Sequence, residues 1–179
     1  MTKEQKKIFA VVSIALFAAF TAVGAQIAIP IGPVPIVLTN LFVLLAGLVL
    51  GPYLGAASIA LYILAGAIGL PVFSGAKGGL AHIAGPTGGY IIGFLLAAFI
   101  AGLITGKERN TVRMIIAVIA ASLVIYLIGV PWLKFSLGKN WGWALGAGMI
   151  PFLIGDAIKA TASVLITIGI RPLLKAQNI

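Results

Sequence analysis

The segment IPFLIGDAIKA, residues 150–160, places an acid and a base inside a run that is otherwise apolar enough to cross a membrane. Asp156 is the only aspartate of the chain, and Lys159 follows it three residues later. On a helix the two side chains therefore leave nearly the same face. A charge at membrane depth costs about 2.5–3.5 kcal/mol on insertion scales, so such residues pair, face water or bind a ligand. A structural ion pair and a polar ligand site both stay open, and the ligand site is favoured because the other charges lie outside the predicted spans.

The composition around this segment predicts a membrane protein of the all-α class. The 179 residues are 61% hydrophobic and 8% charged, with a mean hydropathy of +1.20, whereas soluble domains carry roughly 25% charged residues. The absence of cysteine excludes disulfides, thiolate metal sites and a cysteine nucleophile, and we expect no metal site. The net charge of +9 is spread singly or in short loop clusters, which argues against nucleic acid as a partner.

Six apolar segments predict a polytopic membrane protein with six transmembrane helices in a single domain, residues 1–179. The predicted spans are about residues 8–29, 36–50, 53–70, 88–105, 114–130 and 144–170. A break at Gly51-Pro52 separates the second span from the third, and the sixth is expected to tilt or break near Pro151. The apolar, glycine-rich stretch 71–90 predicts a re-entrant or capping loop, and a loop is predicted from Pro131 to about Trp143. No cleaved signal peptide is expected, so the first helix is taken as retained.

The distribution of basic residues predicts the orientation in the cell membrane. Six spans put both termini on one side, together with eight lysines and arginines (Lys3, Lys6, Lys7, Lys107, Arg109, Arg113, Arg171, Lys175), against three on the other (Lys77, Lys134, Lys139). The positive-inside rule then makes the termini cytoplasmic. The proline loop at residues 30–35, the glycine-rich loop and the tryptophan loop would face outside, above an Asp156 in the outer half of the membrane.

Other polar residues are weaker candidates, each with an ordinary structural alternative. The glycine-rich loop lacks the phosphate-binding pattern GxxxxGK[ST], so ATP binding by this chain is not expected. No motif orders Ser74, Lys77, His82 and Thr87 for catalysis. Lys77 could attract a carboxylate or be solvated at the interface. Asn40, Tyr62 and Tyr90 could line a pocket or bond to neighbouring helices.

Five sequence blocks, in order and with similar spacing, resemble the BioY family of biotin transporter subunits. They are PVPI (33–36), LLAGLVLGP (44–52), GAIGLPVF (66–73), GPTGGY (85–90) and GDAIK (155–159). The GPTGGY block is the most specific of them, and the resemblance runs from about Pro30 to the C-terminus. Thr39-Asn40 stands where the family commonly has Gln-Thr, and Asn40 is predicted to replace that amide.

The resemblance implies a high-affinity biotin-binding S component of an energy-coupling factor (ECF) vitamin transporter. Partners would be a transmembrane T component and two ATPase subunits, with biotin as the transported ligand and no cofactor. Asp156 and Lys159 are assigned to the ureido ring of biotin, although Lys159 could instead meet the valerate. The remaining predicted ligand contacts are Asn40, Tyr90, Thr87 and Lys77. The small-residue pairs Ala15/Ala19 and Ala18/Ala22 would form the docking surface for the T component, or would pack within the chain.

Two other classes of function stay open from the residues alone. One is a self-sufficient proton-coupled carrier that uses Asp156, although the two halves of the chain show no convincing repeat of the kind common in secondary transporters. The other is an intramembrane enzyme or a purely structural subunit.

Overall fold

A computed structural model describes residues 2–176, with side chains up to Leu173, as a mostly helical chain. The elements are α1 (Lys3–Gln26), β1 (Ala28–Ile29), β2 (Ile36–Val37), α2 (Thr39–Ala67), α3 (Leu80–Ala84), α4 (Gly88–Thr105), α5 (Thr111–Leu137), α6 (Trp141–Gly148), a 3-10 turn (Ile150–Phe152) and α7 (Leu153–Ala176). Within these residues, five stretches are long and apolar enough to cross a membrane: α1, α2, α4, α5 and the combined stretch Trp141–Leu173.

Helix α2 is folded back on itself at Gly51. Gly51 has φ 80° and ψ −177°, a left-handed conformation that glycine adopts readily, and Pro52 follows it. A Cβ at Gly55 would lie 2.8 Å from the carbonyl oxygen of Ala46. In a straight helix, two residues that are nine positions apart would be separated by about 13 Å. The two arms of α2 therefore run antiparallel. The chain passes through the bundle six times, and the predicted break at Gly51-Pro52 is confirmed.

The connections gather at two opposite ends of the bundle. At one end, here called the terminal face, Arg109 donates hydrogen bonds to the carbonyls of Leu48 and Val49, and Arg171 donates to the carbonyl of Glu108. The start of α1 and the end of α7 lie at this face, because six passes return the chain to its starting side. The opposite end, here called the loop face, carries the β1–β2 hairpin, the glycine-rich loop and the α5–α6 turn.

Helix α4 forms the centre of the core. Its small residues Ala97, Ala98 and Ala101 are completely buried, so the backbones of α2 and α5 can approach it closely. The exposed apolar side chains, such as those of Leu127 and Ile154, lie on outer helix surfaces, as expected for a protein whose solvent there is lipid.

The predicted loop from Pro131 was wrong at its start, because α5 continues through Pro131 to Leu137. A proline removes one helical hydrogen bond, and membrane helices tolerate this when neighbouring groups compensate. Gly138, in the left-handed conformation (φ 62°, ψ 28°), ends the helix instead. The predicted break near Pro151 is confirmed, because Met149 leaves helical geometry and the 3-10 turn separates α6 from α7.

Candidate functional site

Asp156 and Lys159 form a buried ion pair in the first two turns of α7. The Lys159 Nζ lies 2.7 Å from the Asp156 Oδ1, and each residue is 8% exposed. Because α7 begins at Leu153, the carboxylate lies in the first turn of the helix, where the helix dipole stabilises a negative charge. The three-residue spacing in the sequence thus produces a charge pair at the loop-face end of α7.

The second carboxylate oxygen of Asp156 binds two more donors from distant parts of the chain. The Tyr126 hydroxyl, on α5, donates a short hydrogen bond to Oδ2. The Asn40 Nδ2, in the first turn of α2, donates to the same oxygen at 3.1 Å. Three helices therefore meet at one carboxylate, and the donors around it offset part of the cost of burying its charge.

These side chains retain hydrogen-bonding capacity. An ionised carboxylate offers about four acceptor positions and an ammonium three donors. The described contacts use three positions on Asp156 and one N–H of Lys159. The pair can therefore present both an acceptor and a donor to a ligand that enters beside it.

Two adjoining cavities lie between this pair and the loop face. The smaller, of about 40 Å³, is lined by Asn40, Tyr126, Asp156 and Lys159. The larger, of about 390 Å³, opens towards the loops and is lined by Lys77, His82 and Thr87, among others. That volume lies in the range of small-molecule sites, roughly 300–1,000 Å³. The two cavities share five wall residues: Val34, Pro35, Val37, Tyr90 and Phe94.

The glycine-rich loop closes one side of the larger cavity through Phe73 and His82. Phe73 is 1% exposed, and its ring stacks on that of His82 at 5.2 Å between centroids. His82 lies 3.4 Å from the Thr87 hydroxyl through its Nε2. Partial burial, and secondarily the charge of Lys77, lowers the pKa of His82 from its ordinary value. This keeps the ring neutral at pH 7, so Lys77 is the cation that this loop offers to the cavity.

Tyr90 lies on the wall shared by both cavities, but its hydroxyl is already used. It donates to the carbonyl of Gly148 at 2.8 Å, which links α4 to α6. Tyr90 can therefore offer its ring to a ligand more readily than its hydroxyl.

The two alanine pairs of α1 face different surroundings. Ala15 and Ala19 are exposed on the outer surface of the helix. Ala18 is buried against a cluster that includes Tyr62 and Phe73, and Ala22 packs on the same cluster. Packing within the chain thus covers Ala18 and leaves Ala15 and Ala19 exposed, and the docking role of both pairs stays a prediction.

Two polar residues of the site were missed from the sequence. Tyr126 is a lone tyrosine in a long apolar helix, and that isolation was its only signal. Gln26, at the end of α1, accepts from the Ala76 N–H through its Oε1 and donates to the Phe73 carbonyl through its Nε2. It thereby joins α1 to the glycine-rich loop beside the larger cavity.

Comparison with known proteins gives consistent similarities over nearly the whole chain. Residues 1–176 match the BioY family. The chain is 53% identical over 153 residues to the probable biotin transporter BioY of Pyrococcus horikoshii, covering 86% of this chain and 90% of that protein. It is 40% identical to the biotin transporter BioY of Thermotoga maritima, covering 88% and 93%. It also resembles a crystal structure of the S-component for biotin from an ECF-type ABC transporter, with a TM-score of 0.87, 33% identity, and coverage of 96% and 95%.

Proposed function

The chain belongs to the BioY family, and from this premise we propose that it is the biotin-capturing S component of an ECF-type uptake transporter. It is a multi-pass membrane protein that acts in transport rather than as an enzyme. Biotin is its transported ligand, and no cofactor is involved.

The observation that carries the proposal is the buried Asp156–Lys159 pair beside a cavity. The ureido ring of biotin has two N–H donors and one carbonyl. A carboxylate accepts hydrogen bonds from the N–H groups, and an ammonium donates one to the carbonyl. Such charge-assisted hydrogen bonds are strong where water is excluded. Asn40 and Tyr126 hold the Asp156 carboxylate in place through its Oδ2. The site therefore offers a bicyclic urea the complementary groups at membrane depth.

The larger cavity suits the part of biotin beyond the ureido ring. Phe94 and Val34 supply apolar wall for the thiophane ring and the valerate chain. Lys77, exposed at the mouth, is the cation best placed for the carboxylate. In this arrangement Lys159 meets the ureido carbonyl in the smaller cavity, and Thr87 lines the larger cavity that holds the rest of biotin.

The partners follow from the proposed class of transporter. A T component and two ATPase subunits would supply the coupling and the ATP hydrolysis, since this chain has no phosphate-binding loop. The exposed Ala15/Ala19 pair on α1 permits the close helix approach that association in lipid requires. The excess of basic residues at the terminal face supports an orientation with cytoplasmic termini and the loop face outside.

Calorimetric titration of the purified protein with biotin tests the proposal. Saturable binding at or below micromolar concentration, without ATP or a proton gradient, is expected. No heat of binding at micromolar biotin would overturn the proposal. Uptake driven by a pH gradient in vesicles that contain this chain alone would favour the proton-coupled carrier instead.

Tyr126→Phe is expected to weaken biotin binding about tenfold. The substitution keeps the ring but removes the hydroxyl that donates to Asp156, and a hydrogen bond to a charged group contributes roughly 1.5–3 kcal/mol. Titration calorimetry measures the change. Tyr53→Phe, on an exposed tyrosine, is the matched control and should leave affinity unchanged. Equal affinity of the Tyr126→Phe protein and the parent would show that Tyr126 does not support the site.

Lys77→Gln is expected to weaken binding of biotin by up to about fivefold and to leave binding of biotin methyl ester unchanged. The small effect follows from the exposure of Lys77, because ion pairs in contact with water contribute roughly 0–1 kcal/mol. The ester lacks the negative charge that Lys77 is proposed to meet. An equal loss for both ligands would contradict the assignment of Lys77 to the valerate.

A further inference from the structure

A group of basic and aromatic side chains, here called the cationic–aromatic patch, lies where α5 ends and α6 begins. It consists of Lys134, Phe135, Lys139, Trp141 and Trp143. The Lys134 Nζ lies 4.2 Å from the centre of the Phe135 ring and 5.0 Å from that of Trp141. The Lys139 Nζ lies 5.7 Å from the Trp143 ring. Ring contacts thus hold each of the two ammonium groups near the turn between α5 and α6.

The positive charge of this patch has no carboxylate to balance it. The chain has three acidic residues, and all three lie within the described part. Glu4 is in the first turn of α1, and Glu108 is in the loop at the terminal face. Asp156 is buried against Lys159. An anion from outside the chain is therefore the natural partner for Lys134 and Lys139.

An open apolar groove of about 700 Å³ runs along α5 beneath the patch. Its lining includes Leu127, Ile128 and Pro131 on α5 and Ala84 at the end of α3, and Phe135 belongs to both the groove and the patch. From residue 127 to 136 the groove follows about 14 Å of helix. An apolar channel capped by two cations matches the shape of a lipid acyl chain below an anionic headgroup.

We propose that the groove and the cationic–aromatic patch bind one anionic phospholipid. Lys134 and Lys139 contact its phosphodiester, and one acyl chain lies along Leu127, Ile128 and Pro131. An ordinary belt of interfacial aromatic residues would contact any lipid, whereas two uncompensated lysines select for negative charge.

The lipid would also bridge two parts of the loop face. Trp132, which lines the groove, donates from its Nε1 to the Gly85 carbonyl at 2.9 Å. Ala84, on the other side, belongs to the glycine-rich segment that lines the larger cavity. A bound acyl chain therefore contacts both α5 and this segment, and stabilises the contact between them.

The position of the tryptophans makes this site directly observable. The chain has three tryptophans, and all of them, Trp132, Trp141 and Trp143, lie in the groove or the patch. Fluorescence of the full chain is measured in vesicles of phosphatidylcholine that contain either brominated phosphatidylglycerol or brominated phosphatidylcholine at equal mole fraction. Quenching by the anionic lipid is expected to exceed quenching by the zwitterionic lipid by at least about twofold. This difference should disappear near 1 M salt, where the Debye screening length falls to about 3 Å.

Two variants and one control separate selective binding from general contact with the bilayer. Lys134→Gln with Lys139→Gln should abolish the preference for the anionic lipid, while Lys3→Gln with Lys6→Gln removes the same charge at the terminal face and should preserve it. Ala84→Phe fills the groove and should reduce quenching by both lipids. Equal quenching by the two lipids in the parent, or a preference that survives loss of Lys134 and Lys139, would overturn the headgroup assignment. Unchanged quenching in Ala84→Phe would overturn the groove as the acyl site.

Discussion

Asp156→Asn is expected to weaken biotin binding by more than about 2 kcal/mol, a factor of roughly thirty. The substitution preserves size but removes the charge that Lys159 contacts at 2.7 Å. It also replaces one acceptor oxygen by an amide that competes with the donors of Asn40 and Tyr126. The Lys159 ammonium is then left buried without its counter-charge, which costs binding and stability together. Titration calorimetry gives the affinity, and thermal unfolding in the same detergent gives the stability.

A double variant separates the ligand role from a purely structural one. Asp156→Asn with Lys159→Met removes both charges, and replacing a buried ion pair by uncharged groups is often neutral for stability. The double variant should therefore recover thermal stability but not biotin affinity. If instead its affinity returns to that of the parent protein, the pair serves only to hold the helices together.

Biotin methyl ester shows which end of the ligand Lys159 meets. In Lys159→Met, affinity for biotin and for the ester should fall by the same factor if Lys159 donates to the ureido carbonyl. If Lys159 binds the valerate, only the affinity for free biotin should fall. Lys77→Gln is the matched comparison, because in that variant only the affinity for free biotin should fall and the affinity for the ester should not change.

Local features of the sequence predicted the charge pair and the main breaks of the fold. The spacing of Asp156 and Lys159 determines their common face on any helix. Gly51-Pro52 and Pro151 interrupt helices through their own backbone chemistry. These predictions needed no knowledge of which helices are neighbours in space.

Features that depend on tertiary packing could not be predicted in this way. Tyr126 reaches Asp156 because α5 and α7 pack in one particular register, and no local pattern encodes that register. Pro131 ends a helix only if its lost hydrogen bond goes uncompensated, so its position within α5 escaped prediction. Ala15 and Ala18 belong to equivalent small-residue pairs in the sequence. Ala18 is buried only because α1 packs against Tyr62 and Phe73.

Gly88→Ala is expected to lower the stability of the protein by about 1–3 kcal/mol. It should also disrupt the ligand site, although Gly88 itself lies outside that site. Gly88 is the second glycine of the GPTGGY block, at the first residue of α4. A Cβ at this position would lie 1.7 Å from the Ile83 carbonyl oxygen and 3.2 Å from the Trp132 Nε1. The Ile83 carbonyl oxygen belongs to the backbone, which cannot move aside as a flexible side chain can. The added methyl group must therefore move α3 away from α4.

The displacement has a direct consequence for the ligand cavity. Helix α3 carries His82, which lies 3.4 Å from Thr87 and stacks on the buried Phe73. A shift of α3 away from α4 therefore moves His82 and disturbs its contacts with Thr87 and Phe73, and all three residues line the cavity. The midpoint of thermal unfolding should fall, and the protein that remains folded should bind biotin more weakly than the parent.

Gly169→Ala is the matched control for this experiment. Gly169 lies within α7, and a Cβ there would meet nothing within 4 Å. Alanine is a better helix former than glycine by about 1 kcal/mol, so stability should stay the same or rise slightly and biotin affinity should not change. An unfolding midpoint for Gly88→Ala that equals that of Gly169→Ala would show that the α3–α4 contact is not needed to keep the fold. Normal affinity in a destabilised Gly88→Ala protein would show that α3 contributes to the fold but not to the site.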